Sequence, residues 1–223
     1  DRGKGAGAAT QTNRPFRAED VLNSPPGPIG ASALTVNGLV DPVGVDPDGV
    51  SFAWTVHASG RSVMQTAYQV LLRRTDPGHE RTVWDSGPIL SAQQAFLAYT
   101  GPSLAADAAY QWTVRPRGYA ERWGATSAPA RFTTALRDGD WSGQWLRPAG
   151  ASSQPDRVTY LRMAMTPPAG TLERVTAYVS ASHTYRMYVN GAPVDGWPSF
   201  SYPDEQYARA VDLTQVLRPG KPN

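Results

Sequence analysis

"VSFAWTV", residues 50–56, decides the fold. Val50, Phe52, Trp54 and Val56 fall on one side of an extended chain and Ser51, Ala53 and Thr55 on the other, which is the period of a half-buried strand. The habit repeats downstream. In "AYQVLL" (67–72) Tyr68, Val70 and Leu72 share a face, and "AFLAY" (95–99) and "AYQWTVR" (109–115) alternate in the same way. Between these runs stand the turn signals "DPDG" (46–49), "TDPGHE" (75–80), "DSGP" (85–88) and "YTGP" (99–102). Short strands separated by turns every 8 to 12 residues or so predict an immunoglobulin-like or fibronectin type III-like sandwich. Trp54 then belongs to its core. Tyr110, on the same face as Trp112 in a late strand, is placed to tie down a neighbouring loop through its hydroxyl.

A chain of 223 residues has room for two such sandwiches of about 100 residues each. Its 40% hydrophobic content, 21 glycines, 20 prolines and 10% aromatics describe a globular, turn-rich, all-β protein. Net charge is only +2, and the 21 basic residues, with Lys4 and Lys221 the only lysines, are spread without forming a stripe, which speaks against a nucleic-acid partner. No apolar run approaches membrane length, so no membrane partner is expected. The lack of cysteine excludes disulfide frameworks, thiolate zinc sites and cysteine nucleophiles. Residues 1–32, with "SPPGPIG" (24–30), read as a flexible tail, and the small polar run "DRGKGAGAATQTNRPF" has the character of a mature secreted protein.

"FTTALRDGDWSGQWL" (132–146) closes the first pattern and opens another, so the first sandwich is expected at 33–136 and a second unit at 137–223. There "VTYLRMAM" (158–165), "LERVTAYVSA" (172–181), "TYRMYV" (184–189) and "YARAVDL" (207–213) read as strands. "DLTQVLRPG" (212–220) reads as a short helical turn, with Asp212 or Thr214 as cap and Gly220 as stop. About five strands fall short of the eight or so of a jelly roll, so 137–223 is expected to be the N-terminal part of a jelly-roll-like sandwich, truncated at its end.

The chemistry-bearing residues gather behind the Asn190-Gly191 turn, the strongest short hairpin signal. Trp197 and Tyr202, expected in a loop behind that turn, form the candidate sugar-binding set with Asn190 and Asp195, since rings stack on a sugar's apolar face while amides and carboxylates take its hydroxyls, and loops carry such sites. The same aromatics equally suit a seam against another domain. Asp204 and Glu205 are adjacent, and neighbours on a strand point to opposite faces, so they cannot flank one glycosidic bond. Ser182, His183 and Asp195 lack a nucleophile turn. His57, His79 and His183 lack metal-ligand spacing, and Asp46–Gly49 lacks the distal glutamate of a calcium loop. No cofactor and no metal site is expected, and no catalytic residue.

Taken in order, "LVDPVGVDPDGVSFAW" (39–54), "MQTAYQVLL" (64–72), "VWDSGPILSAQQAFLAYTGPSL" (83–104), "AYQWTVR" and "GDWSGQWL" (139–146) resemble the fibronectin-like first domain of bacterial α-L-rhamnosidases with a six-hairpin α/α-barrel catalytic domain. "YLRMAM" (160–165), "RVTAYVSASHTYRMYVNGAPV" (174–194), "SFSYPDEQY" (199–207) and "AVDLTQVLRPGKPN" (210–223) resemble the sandwich that follows it. The resemblance spans residues 33–223. It implies a parent enzyme that hydrolyses terminal α-L-rhamnosyl residues with inversion, through glutamates of the downstream barrel, and the N-terminal run leads us to expect that parent to be secreted. Its partners would be the downstream domains and a rhamnose-containing glycan. The rival reading is a carbohydrate-binding or adhesive module without hydrolytic activity.

Overall fold

The structure is a computed structural model that describes residues 28–59, 63–148, 158–198 and 205–223. Seven strands build the first sandwich: β1 (Ile29–Val36), β2 (Ser51–Ala58), β3 (Ala67–Asp76), β4 (His79–Asp85), β5 (Leu97–Ala98), β6 (Ala109–Arg117) and β7 (Ala130–Thr133). One sheet has the order β1-β2-β5 and the other β4-β3-β6-β7, with every neighbouring pair antiparallel. This is the expected all-β, immunoglobulin-like arrangement.

Alternation sets which residues meet between the sheets. Phe52 and Trp54 from β2 face Tyr68, Val70 and Leu72 from β3 and Tyr110, Trp112 and Val114 from β6, and all are buried. Phe52 is the hub, its ring 4.6 Å from Trp112 and 6.2 Å from Trp84, with Phe132 edge-on at 6.3 Å. Burying a ring of this size stabilises the fold by roughly 1.5 to 3 kcal/mol. Tyr110 stacks on Phe132, and its hydroxyl accepts the Ala105 N–H at 2.8 Å, so it ties down the preceding loop as its position predicts.

β1 starts at Ile29, inside the stretch read as tail. Proline and glycine hide its first residues in the sequence, but Ile29 and Ala31 are buried. A Cβ on Gly30 would overlap the His57 ring, so the glycine lets β1 lie against β2. Residues 1–27, the rest of the expected tail, lie outside the described residues.

Beyond residue 136 the strands among the described residues are β8 (Thr176–Ser180), β9 (Thr184–Val189), β10 (Ala192–Pro198) and β11 (Ala208–Asp212), paired as β8 with β11 and β9 with β10. Two expectations change here and one is refined. Residues 158–165 belong to no strand pair among the described residues. The stretch after β11 is a single hydrogen-bonded turn, with the N–H groups of Val216 and Leu217 both donating to Leu213 C=O and Gly220 at φ +65 as its stop, and of the two candidate caps it uses Asp212: its carboxylate accepts the Thr214 N–H at 2.8 Å, while the Thr214 hydroxyl is used by Val175 N–H. Trp197 lies in β10 and not in a loop, since a bulge between Pro193 and Asp195 absorbs the irregularity and the ladder resumes through Pro198.

The two parts meet along a seam. Arg174 donates to the Asp107 carboxylate at 2.5 Å and to its carbonyl at 2.7 Å, and the Tyr178 hydroxyl donates to the same carboxylate at 2.9 Å. Gly44 (φ +74) leaves room for Ala210, whose Cβ would overlap a side chain there, and the Trp141 ring stands edge-on to Tyr178 at 6.0 Å.

Candidate functional site

The Asn190-Gly191 turn has positive φ at both residues, 52 and 84, and joins Val189 to Ala192 directly, the two-residue hairpin that the dipeptide predicts. The Asn190 side chain donates to Asn223 Oδ1 at 2.9 Å. Asn223 in turn accepts the Arg218 N–H at 2.8 Å and donates to the carbonyls of Arg218 and Lys221 at 3.1 and 2.7 Å. The tip of the hairpin is therefore clamped to the last turn of the chain.

Asp195 sits elsewhere on the hairpin. Unbroken alternation from the turn would set it opposite Arg186. The bulge at Val194 sets it opposite Met187 instead, on the face of Tyr185. Its side chain is only 11% exposed, accepts the Tyr185 hydroxyl in a short hydrogen bond, and meets the Arg209 fork through Nε and Nη2, each at 3.2 Å. Burial first, then the hydrogen bond and charge of Asp195, push the Tyr185 phenol up to about 12. A carboxylate held by a phenol on one oxygen and a guanidinium on the other is engaged at both oxygens. That arrangement fixes β9, β10 and β11 together.

Of the predicted sugar-binding set, the structure thus brings Asp195 to Tyr185 and Arg209, and Asn190 to Asn223. Trp197 is paired through its backbone with Tyr185. Tyr202 and Asp204 lie outside the described residues. His183 Nδ1 is 3.4 Å from the Ser182 hydroxyl, while Asp195 is engaged by Tyr185 and Arg209, so these three build no relay. Among the described residues no group of three histidines or carboxylates could hold a metal ion.

A cavity of about 230 Å³ lies in the first sandwich, against β4 and the 102–105 loop, with Arg74, Arg81 and Tyr110 in its wall. It is smaller than the 300 to 1,000 Å³ or so of small-molecule sites. Its lining has no carboxyl group, so glycoside hydrolysis has no acid or base there. The residues that sequence reasoning missed are Arg209, Asp107, Arg174 and Tyr178. Only the register, not the spacing, reveals them.

The family model of the Rha78A-like N-terminal immunoglobulin domain matches residues 31–138. An α-L-rhamnosidase of Streptomyces avermitilis is 28% identical over 179 residues, covering 69% of this chain and 17% of the relative. One of Formosa agariphila is 24% identical over 219 residues, covering 84% and 23%. The chain therefore spans about a fifth of the length of these relatives. Among solved structures, the α-L-rhamnosidase from Dictyoglumus thermophilum superposes with a TM-score of 0.73 at 22% identity, covering 86% of this chain and 24% of that one. The Aspergillus terreus enzyme gives 0.63 at 15% identity, covering 87% and 23%. Residues 31–138 thus match the Rha78A-like N-terminal immunoglobulin domain, and the chain as a whole is similar to the N-terminal fifth or so of α-L-rhamnosidases.

Proposed function

We propose that the chain is the non-catalytic N-terminal region of a secreted, inverting α-L-rhamnosidase, with residues 33–136 as the first sandwich and 137–223 as the opening strands of a jelly-roll-like one. Its work is mechanical: it braces the catalytic domain that follows and borders its substrate entrance. The observation that carries this reading is the ordered likeness of the chain to α-L-rhamnosidases several times its length, of which it covers only 17% and 23%.

The side chains support it. Asp107 and Asp195, the acids most tied into the structure beyond the first core, hold strands together through Arg174 and Arg209. An inverting hydrolase needs two free carboxyl groups about 6.5 to 9.5 Å apart with water between them. In this reading those groups belong to the rest of the enzyme, the rhamnose-containing glycan is its substrate, and Asn190 and Asp195 serve the hairpin. The test is the anomer first released from an aryl α-L-rhamnoside by the longer polypeptide. β-L-Rhamnose is expected. Release of the α anomer overturns inversion, and release of no rhamnose overturns the activity.

A further inference from the structure

Residues 158–165 belong to no strand pair among the described residues, and Val158, Tyr160, Leu161 and Met163 are exposed, Tyr160 to 93%. An exposed apolar segment without a ladder partner has the character of an open sheet edge, which folded proteins cover or blunt. One end of it is already paired. Met165 N–H donates to Asn223 C=O at 3.4 Å, and Asn223 N–H donates to Met165 C=O at 2.9 Å. Two residues that exchange both bonds form the hydrogen-bonded pair of an antiparallel ladder. The four-way clamp on the Asn223 side chain, from Asn190, Arg218 and Lys221, fixes that residue in place.

The direction and register of the ladder follow. We propose that residues 158–165 are a strand whose neighbour is the polypeptide continuing beyond Asn223, running antiparallel from Met165 back towards Val158. The residue after Asn223 lies opposite Ala164, and each later residue lies one step further back. Because hydrogen-bonded pairs recur every second residue, the amides of Met163, Leu161 and Thr159 point to the new strand, and those of Ala164, Arg162 and Tyr160 do not. The occupant is a further strand of the same molecule, consistent with relatives of which this chain covers 17% and 23%. The inference rests on continuation of the chain and not on the reaction it performs.

Two measurements on the longer polypeptide test it. The absence of cysteine gives a clean background for Ala164→Cys with a second cysteine placed directly after Asn223. Mild oxidation should join them in most molecules, and Arg162→Cys with the same partner should not, since it is two places out of register. In the cysteine-free polypeptide, exchange at Met163, Leu161 and Thr159 should slow by a hundredfold or more, about what a stable ladder gives, relative to the 223-residue chain. Equal cross-linking at both positions, no cross-link at Ala164→Cys, or protection without the odd-residue pattern would each overturn the proposal. Rhamnosidase activity, present or absent, leaves all of these outcomes untouched.

Discussion

Trp54→Phe is the sharpest probe of the first sandwich. Trp54 is 4% exposed, its ring stands edge-on to Tyr68 at 5.1 Å, and its indole N–H donates to Gln65 Oε1 at 2.9 Å. Gln65 is 2% exposed and spends its amide N–H groups on the carbonyls of Ser91 and Gln93, at 3.2 and 2.9 Å. That single side chain joins the core to the stretch between β4 and β5. Phenylalanine keeps the face against Tyr68 but removes the donor, leaving a buried carbonyl oxygen unpaired, at about 1 to 3 kcal/mol. The lost part of the indole adds roughly 1 kcal/mol. The expected destabilisation is therefore about 2 to 4 kcal/mol, close to the range of about 3 to 5 for Trp54→Ala. Urea unfolding followed by circular dichroism reads it: with a slope of about 1 to 3 kcal/mol/M, the midpoint should fall by about 1 to 2 M. A Trp54→Phe midpoint within about 0.2 M of the parent would show that the Gln65 bond carries no weight, and the buried polar link would have to be discarded.

Gly191→Val forces a β-branched residue to φ +84 and should destabilise the hairpin by about 1 to 3 kcal/mol, releasing the Asn190–Asn223 clamp; unchanged thermal unfolding would contradict the turn. Asp107→Ala removes the acceptor of Arg174 and Tyr178 at a seam that is about a third to a half exposed, so about 1 kcal/mol is expected, with earlier proteolytic cleavage after residue 136; identical cleavage would sink the seam. Tyr178 and Tyr185 have phenols raised from 10 to about 12, chiefly by burial. The folded state therefore holds protons that the unfolded state has lost, so the stability they contribute is complete below pH 10 and disappears as pH rises through about 12. Tyr185→Phe should flatten that decline in urea midpoints. An equally steep decline in the variant would rule out its part.

The first sandwich was legible because its core strands obey strict alternation. Phe52, Trp54, Tyr68, Val70, Leu72, Tyr110 and Trp112 needed only the period of two to be assigned to one interior. β1 was harder: Gly30 supplies no side chain to count, and the prolines before it signal a tail. In the second part the sequence shows hairpins but not partners. "VTYLRMAM" alternates as a strand should, yet pairing depends on a neighbour that periodicity cannot supply. Asp195 shows the same limit at a single residue. Its face is decided by the bulge at Val194, and only the shifted ladder brings it to Tyr185 and Arg209 instead of leaving it beside Arg186. Seam residues such as Asp107 and Arg174 are 67 positions apart, and no local pattern links them.

The central claim is that these residues brace an α-L-rhamnosidase without performing its chemistry. The direct measurement is p-nitrophenol release from p-nitrophenyl α-L-rhamnoside, by the purified 223-residue chain and by the longer polypeptide, side by side. The account predicts release by the longer polypeptide and none above buffer by the chain. Turnover by the chain itself would contradict it and place a catalytic pair among these residues.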